Sequence, residues 1–343
     1  MQEPPKAGPD ALVRSRNGQI RGSLLSWRTL AWLCALTLFA PVVCVLWEAV
    51  VPGHGSDAGS WDHVRANLLW PAMRDTAILV AGVCLFSVLL GVPAAWCIST
   101  LQFRGRGLLS VLLVLPLAVP PYVAAFASTE AREAFIPTLV QIRLEMGVDA
   151  YLKFELIHRF AWLILIFSAV LYPYVFLACR SAFSGSSRRL AEASRALGAG
   201  GWATFRKINL PLARPALVAG LFLVAMEVIN DYGAVHHLGI NTMTVTIFRT
   251  WFSLGELETA RRLAGWMLLG IFTLVLLEQW QRGRRGFLSG QEGIPPRPKC
   301  GVAGSIICWL VCMIPVALGL LVPLFILVQW WRASTRPDAA PEI

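Results

Sequence analysis

Seven separate apolar stretches constrain this chain more than any other feature. They fall at about 29–51, 76–99, 108–127, 160–180, 215–235, 263–281 and 302–328. A hydrocarbon core of ~30 Å is crossed by about 20 apolar residues in a helix, and each stretch meets that length. Lipid offers no partner for a bare peptide group, so a spanning segment must pair its own N–H and C=O groups as a helix or a closed barrel. Runs this long and continuous predict helices. Hydrophobic residues make up 56% of the 343 and charged ones only 15%, against ~25% charged in a soluble domain. A disordered, collagen-like or ordinary cytosolic chain is excluded. The first stretch outruns a signal-peptide core of ~7–15 residues and lacks the small-residue cleavage pattern, so it reads as a retained anchor.

The formal charge of +10 gives the orientation. Lys and Arg concentrate in segments 1–28, 104–107, 180–214 and 282–299, whereas acidic residues collect in 52–75, 128–159, 236–262 and 329–343. Basic loops stay in the cytoplasm, which places the N-terminus inside and the C-terminus outside. The positive charge is thus a topology signal, and no nucleic-acid partner is expected. Trp47, Trp280, Trp330 and Trp331 lie near span ends, where indoles anchor at the lipid headgroups.

Polar and helix-breaking residues inside spans mark candidate function. Pro116, Pro120 and Pro121 crowd the third span and Pro173 sits in the fourth; each removes a helical hydrogen bond, so a bent helix beside a pathway is expected. Glu227, Asn230 and Asp231 occur at helical spacing in the fifth. An acid at mid-bilayer costs roughly 2.5–3.5 kcal/mol. That face either lines the translocation route or bonds to a neighbouring helix. Seven of the eight cysteines lie in apolar runs, and Cys308 and Cys312 share a face with no His or carboxylate beside them. They read as small hydrophobes, and no metal site is expected.

The longest basic loop, 181–214, carries the most information. Leu190, Ala193, Ser194 and Leu197 recur at helical spacing behind Ser186 and Ser187, which suit a helix start. Gly198, Gly200 and Gly201 stop that helix, and a second short one is expected over 202–208, ending before Leu210-Pro211. Two amphipathic helices joined at a glycine elbow suit a docking surface for a cytoplasmic partner.

At these residues the chain resembles the permease subunits of bacterial ABC importers. Their loop reads E-A-A, three residues, G, nine residues, I-x-L-P; here Glu192-Ala193-Ser194 precedes Gly198, and Ile208-Asn209-Leu210-Pro211 follows at the same spacing. Ser194 in place of alanine is the one departure. The resemblance implies a type I importer permease (MetI-like) fold, all-α and polytopic, in the bacterial plasma membrane. It implies that Glu192, Ala193, Ser194, Gly198, Ile208, Leu210 and Pro211 form the coupling loop. The implied partners are two cytoplasmic ABC ATPase subunits, a periplasmic or lipid-anchored binding protein, membrane lipid, and a second permease half, either a second copy or a separate chain. ATP would be bound by the ATPase subunits and no cofactor by this chain. Residues 115–123 and 227–263 look like the ferric-iron branch, with thiamine, sulfate, molybdate and polyamine permeases sharing the architecture. Asp231 and Tyr232 would suit a hard ferric ion better than His236-His237, although in such systems the binding protein holds the ion.

The expected organisation is a cytoplasmic tail (1–28), a six-helix permease domain (29–281) with its coupling loop, a linker (282–301), a seventh span (302–328) resembling the start of a second half, and an outer tail (329–343). No Walker Gly-Lys-Ser/Thr, G-x-S-x-G or H-E-x-x-H motif occurs, so no catalysis is expected. A secondary transporter would need internal repeats and no docking loop. A membrane enzyme would have to use the outer carboxylates Glu130, Glu133, Glu145, Asp149 and Glu155, which lack a partner histidine.

Overall fold

The computed structural model describes residues 9–50, 58–184, 186–282 and 297–335. The structure is helical there, apart from an isolated bridge between Gln102 and Lys299. In order come α1 (Pro9–Val50), α2 (Ala58–Val64), α3 (Trp70–Thr100), α4 (Arg106–Leu112), α5 (Pro121–Ala127), α6 (Thr129–Glu133), α7 (Ile136–Met146) and α8 (Val148–Ser184). Then follow α9 (Ser186–Ala196), α10 (Gly201–Thr204), α11 (Leu210–Asn230), α12 (Gly233–His237), α13 (Met243–Phe252), α14 (Leu257–Arg282), α15 (Val302–Val316) and α16 (Val322–Ser334). Among the described residues six helical spans are long and apolar enough to cross a membrane, and a bent pair, taken as one span, makes a seventh. The expected tail is helical from Pro9. Residues 1–8, most of the linker and the end of the outer tail lie outside the described residues.

The bent pair is the third span. Its halves, 106–118 and 121–127, meet at 87°, so the chain breaks where a kinked but continuous helix was expected. The reason is local. A residue preceding proline is pushed out of the α region, and both Val119 (ψ 113°) and Pro120 (ψ 136°) are extended. Pro121 then opens α5 at a position where its missing N–H costs nothing.

Three other prolines are absorbed without a break. Wide π turns at Arg65–Leu69, Phe205–Asn209 and Ala317–Leu321 each end two residues before a proline: Pro71, Pro211 and Pro323. A proline ring clashes with the carbonyl four residues back, and a widened turn moves that carbonyl aside. The Leu210 N–H accordingly bonds to Phe205 O, five residues back. This corrects the expectation that the second elbow helix ends before Leu210-Pro211. It runs on through Pro211, so that residues 201–230 form one span.

The core is built around α8, the most buried span, with Phe167, Tyr172, Phe176 and Phe183 all enclosed. Glycines let neighbouring backbones approach it. A Cβ on Gly91 of α3 would lie 3.0 Å from Tyr172 O, and one on Gly220 of α11 would lie 3.1 Å from Tyr174 O. Close backbone approach through small residues is the usual means of packing helices in lipid. On the far side α1 lies along α14, where Arg261 Nη1 meets Glu48 Oε1 at 2.7 Å.

The seventh span, α15–α16, packs on α3, α4, α5 and α8. Pro173 has no N–H to give Ala169 O, the carbonyl four residues earlier. Gly319 covers that oxygen so closely that a Cβ would sit 1.9 Å from it. The base of this span is clasped to the α3–α4 turn. Gln102 N–H donates to Pro298 O (3.0 Å), Cys300 N–H to Gln102 O (3.0 Å) and Trp309 Nε1–H to Arg104 O (2.9 Å).

Gly91→Leu is expected to force α3 off α8. Overpacking of this kind costs about 1–3 kcal/mol, readable as a lowered midpoint of thermal unfolding in detergent, whereas Gly107→Leu, with nothing within 4 Å, should leave it unchanged.

Candidate functional site

The elbow between α8 and α11 is built as the residue pattern requires. At the end of α9 the Gly198 N–H bonds to Arg195 O (2.9 Å) and the Ala199 N–H to Ser194 O (3.1 Å). These two bonds make a Schellman stop, whose pivot needs a left-handed backbone. Gly198 supplies it at φ +85°, and nothing lies within 4 Å of its missing Cβ. The requirement at Gly198 is therefore conformational and not spatial. Gly200 adopts an ordinary extended conformation at the start of α10.

The two arms of the elbow meet at Ser194, whose Oγ lies 3.5 Å from Thr204 Oγ1. Thr204 is buried and donates to Gly200 O at 3.1 Å. Serine at the position where the E-A-A pattern has alanine thus has a local polar neighbour. Glu192 is half-buried and Ala193 exposed. Leu190, Leu197 and Trp202 present an apolar surface, with Leu197 89% exposed and Trp202 70% exposed. These exposed apolar side chains stand on an otherwise cationic helical elbow. The structure brings Glu192, Ala193, Ser194 and Gly198 together on this elbow. Ile208, Leu210 and Pro211 lie at its root, in the π turn and the first residues of α11. Ser186 and Ser187 begin α9, and their side chains lie outside the described residues.

Sequence reasoning missed the elbow's anchor. Phe205 stacks on Trp202 (5.4 Å between ring centroids) and packs against Trp96 of α3 (5.3 Å) and Phe183 of α8 (6.4 Å). Beside it Asn209 is buried, and neither polar atom of its side chain has a partner among the described residues. The sequence carries one hint of it: Trp202 and Phe205 stand three residues apart, on neighbouring turns of a helix within an otherwise basic loop. The cluster joins the elbow to two membrane helices, α3 and α8.

The intramembrane acids separate into two environments. Glu227 is exposed on α11, and its Oε1 accepts a hydrogen bond from Tyr174 Oη of α8 at 3.0 Å. Asn230 ends that helix, also exposed. Asp231 departs from the single helical face expected for the three, because the backbone turns extended there (ψ 123°). Its Oδ1 accepts from the Ala234 N–H at 2.8 Å and so caps α12. Pro116 is buried beneath Gly319, whereas Pro120 is exposed. His237 Nε2 lies 2.9 Å from Thr129 Oγ1, and His236 stacks on Tyr232. Of the outer carboxylates, Glu155 pairs with Arg159 and Glu145 accepts from Gln141, while Glu130's side chain lies outside the described residues. Among the described residues no three His, Cys, Asp or Glu side chains are placed to hold a metal ion.

A helical body with this many apolar spans is that of a multi-pass membrane protein. Residues 87–277 match the family of binding-protein-dependent transport system inner membrane components, and the chain belongs to that family. It is similar to a probable molybdenum ABC transporter permease protein of Haloferax volcanii, 26% identical over 67% of this chain and 81% of the relative. It is similar to the molybdenum transport system permease protein ModB of Escherichia coli K12, 30% identical over 48% of this chain and 69% of the relative. The sulfate transport system permease protein CysT of the same organism is 26% identical over 62% of this chain and 74% of the relative. These relatives give the ferric-iron resemblance no support.

Because Gly198 is required for its φ alone, Gly198→Ala should cost about 1 kcal/mol or slightly more, and Gly198→Asn less. Hydrogen–deuterium exchange over residues 194–204 is the measurement: faster in the alanine variant, intermediate with asparagine.

Proposed function

We propose that this chain is the membrane-spanning, non-catalytic subunit of an ATP-driven importer of a small inorganic ion. The observation that carries this reading is the elbow, exposed at Leu190, Leu197 and Trp202 and tied through Phe205 to α3 and α8. A cytoplasmic ATPase subunit seats on that patch, with Glu192, Ala193, Ser194 and Gly198 at the contact. Closure of two ATPase subunits on ATP moves the elbow as a body, and the stacked aromatics transmit the motion to the spans that flank the route. Alternation between inward-open and outward-open arrangements then carries the ion across. A binding protein on the outer side delivers it.

For the ion itself, the relatives named for molybdenum and sulfate support an oxyanion of that class. One observation favours a second reading, a ferric or similar cation. Glu227 places a carboxylate on an exposed intramembrane face held by Tyr174, and a negative charge on a route opposes an anion and favours a cation. Uptake into cells separates the two, using radiolabelled molybdate, sulfate and ferric iron. If oxyanions are carried, Glu227→Gln leaves uptake equal or higher. If a ferric ion is carried, the same change lowers uptake by at least about tenfold, the equivalent of roughly 1.4 kcal/mol.

The docking role is tested by co-purification. Glu192→Arg, at unchanged membrane levels and thermal midpoint, and Gly198→Pro, which removes the left-handed bend and its N–H bond to Arg195 O, should each lose the ATPase subunit that the unaltered chain retains. Retention of the ATPase by both variants would remove the elbow from the mechanism.

A further inference from the structure

The clasp at the base of the seventh span gathers positive charge. Bonds from Gln102 to Pro298 and Cys300 draw the α3–α4 turn, with Arg104 and Arg106, against the start of α15, with Arg297 and Lys299. Neither 76–129 nor 297–335 contains an Asp or Glu. Two of the four cations turn inward onto the end of α3. Arg106 Nε donates to Ile98 O (2.7 Å) and Arg297 Nε to Ser99 O (3.0 Å), at a helix terminus whose carbonyls favour positive charge. Arg104 and Lys299 are exposed, and neither is ion-paired among the described residues. The loop charges put this turn at the cytoplasmic surface of the membrane. Four like charges held together there repel one another, and neither segment supplies an acid to offset them.

We infer that this junction binds the phosphate of an anionic phospholipid of the cytoplasmic leaflet, held between Arg104 and Lys299. The surface beside it supplies the matching apolar half. Beyond Arg104, α4 exposes Leu108 and Val111, spaced i and i+3 on one helical face. Beyond Lys299, α15 exposes Val302 and Ile306, spaced i and i+4. Trp309 joins the two helices. Its ring lies against Gly105, where a Cβ would come within 2.5 Å of Cζ2, and its N–H holds Arg104 O at 2.9 Å. Cations at headgroup level, continued by apolar strips on two adjoining spans, are the arrangement by which basic pockets between helices retain acidic lipids. A soluble phosphate would engage the cations and leave both strips without a ligand, so the lipid is the better fit. By offsetting the charge on both sides of the clasp, it holds the seventh span against α3 and α4.

This site is independent of the ion carried and of the ATPase contact. For the test, the full chain is placed in nanodiscs of equal parts dioleoylphosphatidylcholine and dioleoylphosphatidylglycerol, which share acyl chains and differ in headgroup charge. Native mass spectrometry reads the lipid retained. Two cations near the membrane surface should give a preference of about tenfold or more for the glycerol lipid. Amide exchange over 101–103 and 299–301 should be slower with it than in the choline lipid alone. Lys299→Gln should lower the preference about fivefold, and Arg104→Gln with Lys299→Gln should bring retention to parity and abolish the slowing. Arg104→Lys with Lys299→Arg, which keeps both charges, should retain the preference, as should the charge-matched outer pair Arg143→Gln with Lys153→Gln. Equal retention of both lipids by the unaltered chain, an unchanged preference in the neutral variants, or the same loss in the outer pair overturns the inference. So does slowing of the same amides by glycerol 3-phosphate, which would make the ligand a soluble anion.

Discussion

The turn of α8 around Pro173 holds the molecule together. Proline there withdraws the donor that Ala169 O would have used, in surroundings where water cannot replace it. Three helices close on this stretch through glycine: α3 at Gly91, α11 at Gly220 and the seventh span at Gly319, touching backbone between Ala169 and Phe176. In lipid, apolar side chains alone give helices little reason to prefer each other over acyl tails, and close van der Waals contact supplies the preference. A proline that loosens one helix and glycines that admit three others are parts of one packing solution.

From that centre the structure runs to the cytoplasmic side by way of aromatic rings. Phe183 is on α8, Trp96 is on α3, and both meet Phe205 at the root of the elbow. The elbow is thus an extension of the same helices that enclose the Pro173 turn, rather than a loop hung between two of them. Gly198 sets its bend by backbone conformation alone, which leaves the surrounding surface free for a partner.

Much of this was legible in the residues. Span number and elbow position followed from apolar run length and glycine spacing, because lipid thickness and left-handed backbone conformations are strict requirements. The order of the prolines was harder to read. Pro120-Pro121 breaks a span, whereas Pro71, Pro211 and Pro323 sit behind widened turns, and the difference depends on whether the preceding turn has room to open. Asp231 looked like part of a helical face with Glu227, but the helix had already ended and the carboxylate serves as a cap. The Phe205 anchor was hidden for a different reason: its partners lie on α3 and α8, far away in the chain. Substrate identity was the least legible: the residues suggested a ferric-iron resemblance, whereas the relatives are named for molybdenum and sulfate.

The π turn at Phe205–Asn209 fixes an angular phase. Such a turn contains one residue more than an α-helical path between the same two ends, and a single residue corresponds to about 100° of rotation. The direction in which the elbow faces and the side of α11 that carries Glu227 are therefore geared to each other through one residue's length of chain. Insertions or deletions elsewhere in the basic loop change its reach; one inside this turn would swing the cytoplasmic surface relative to the intramembrane acid.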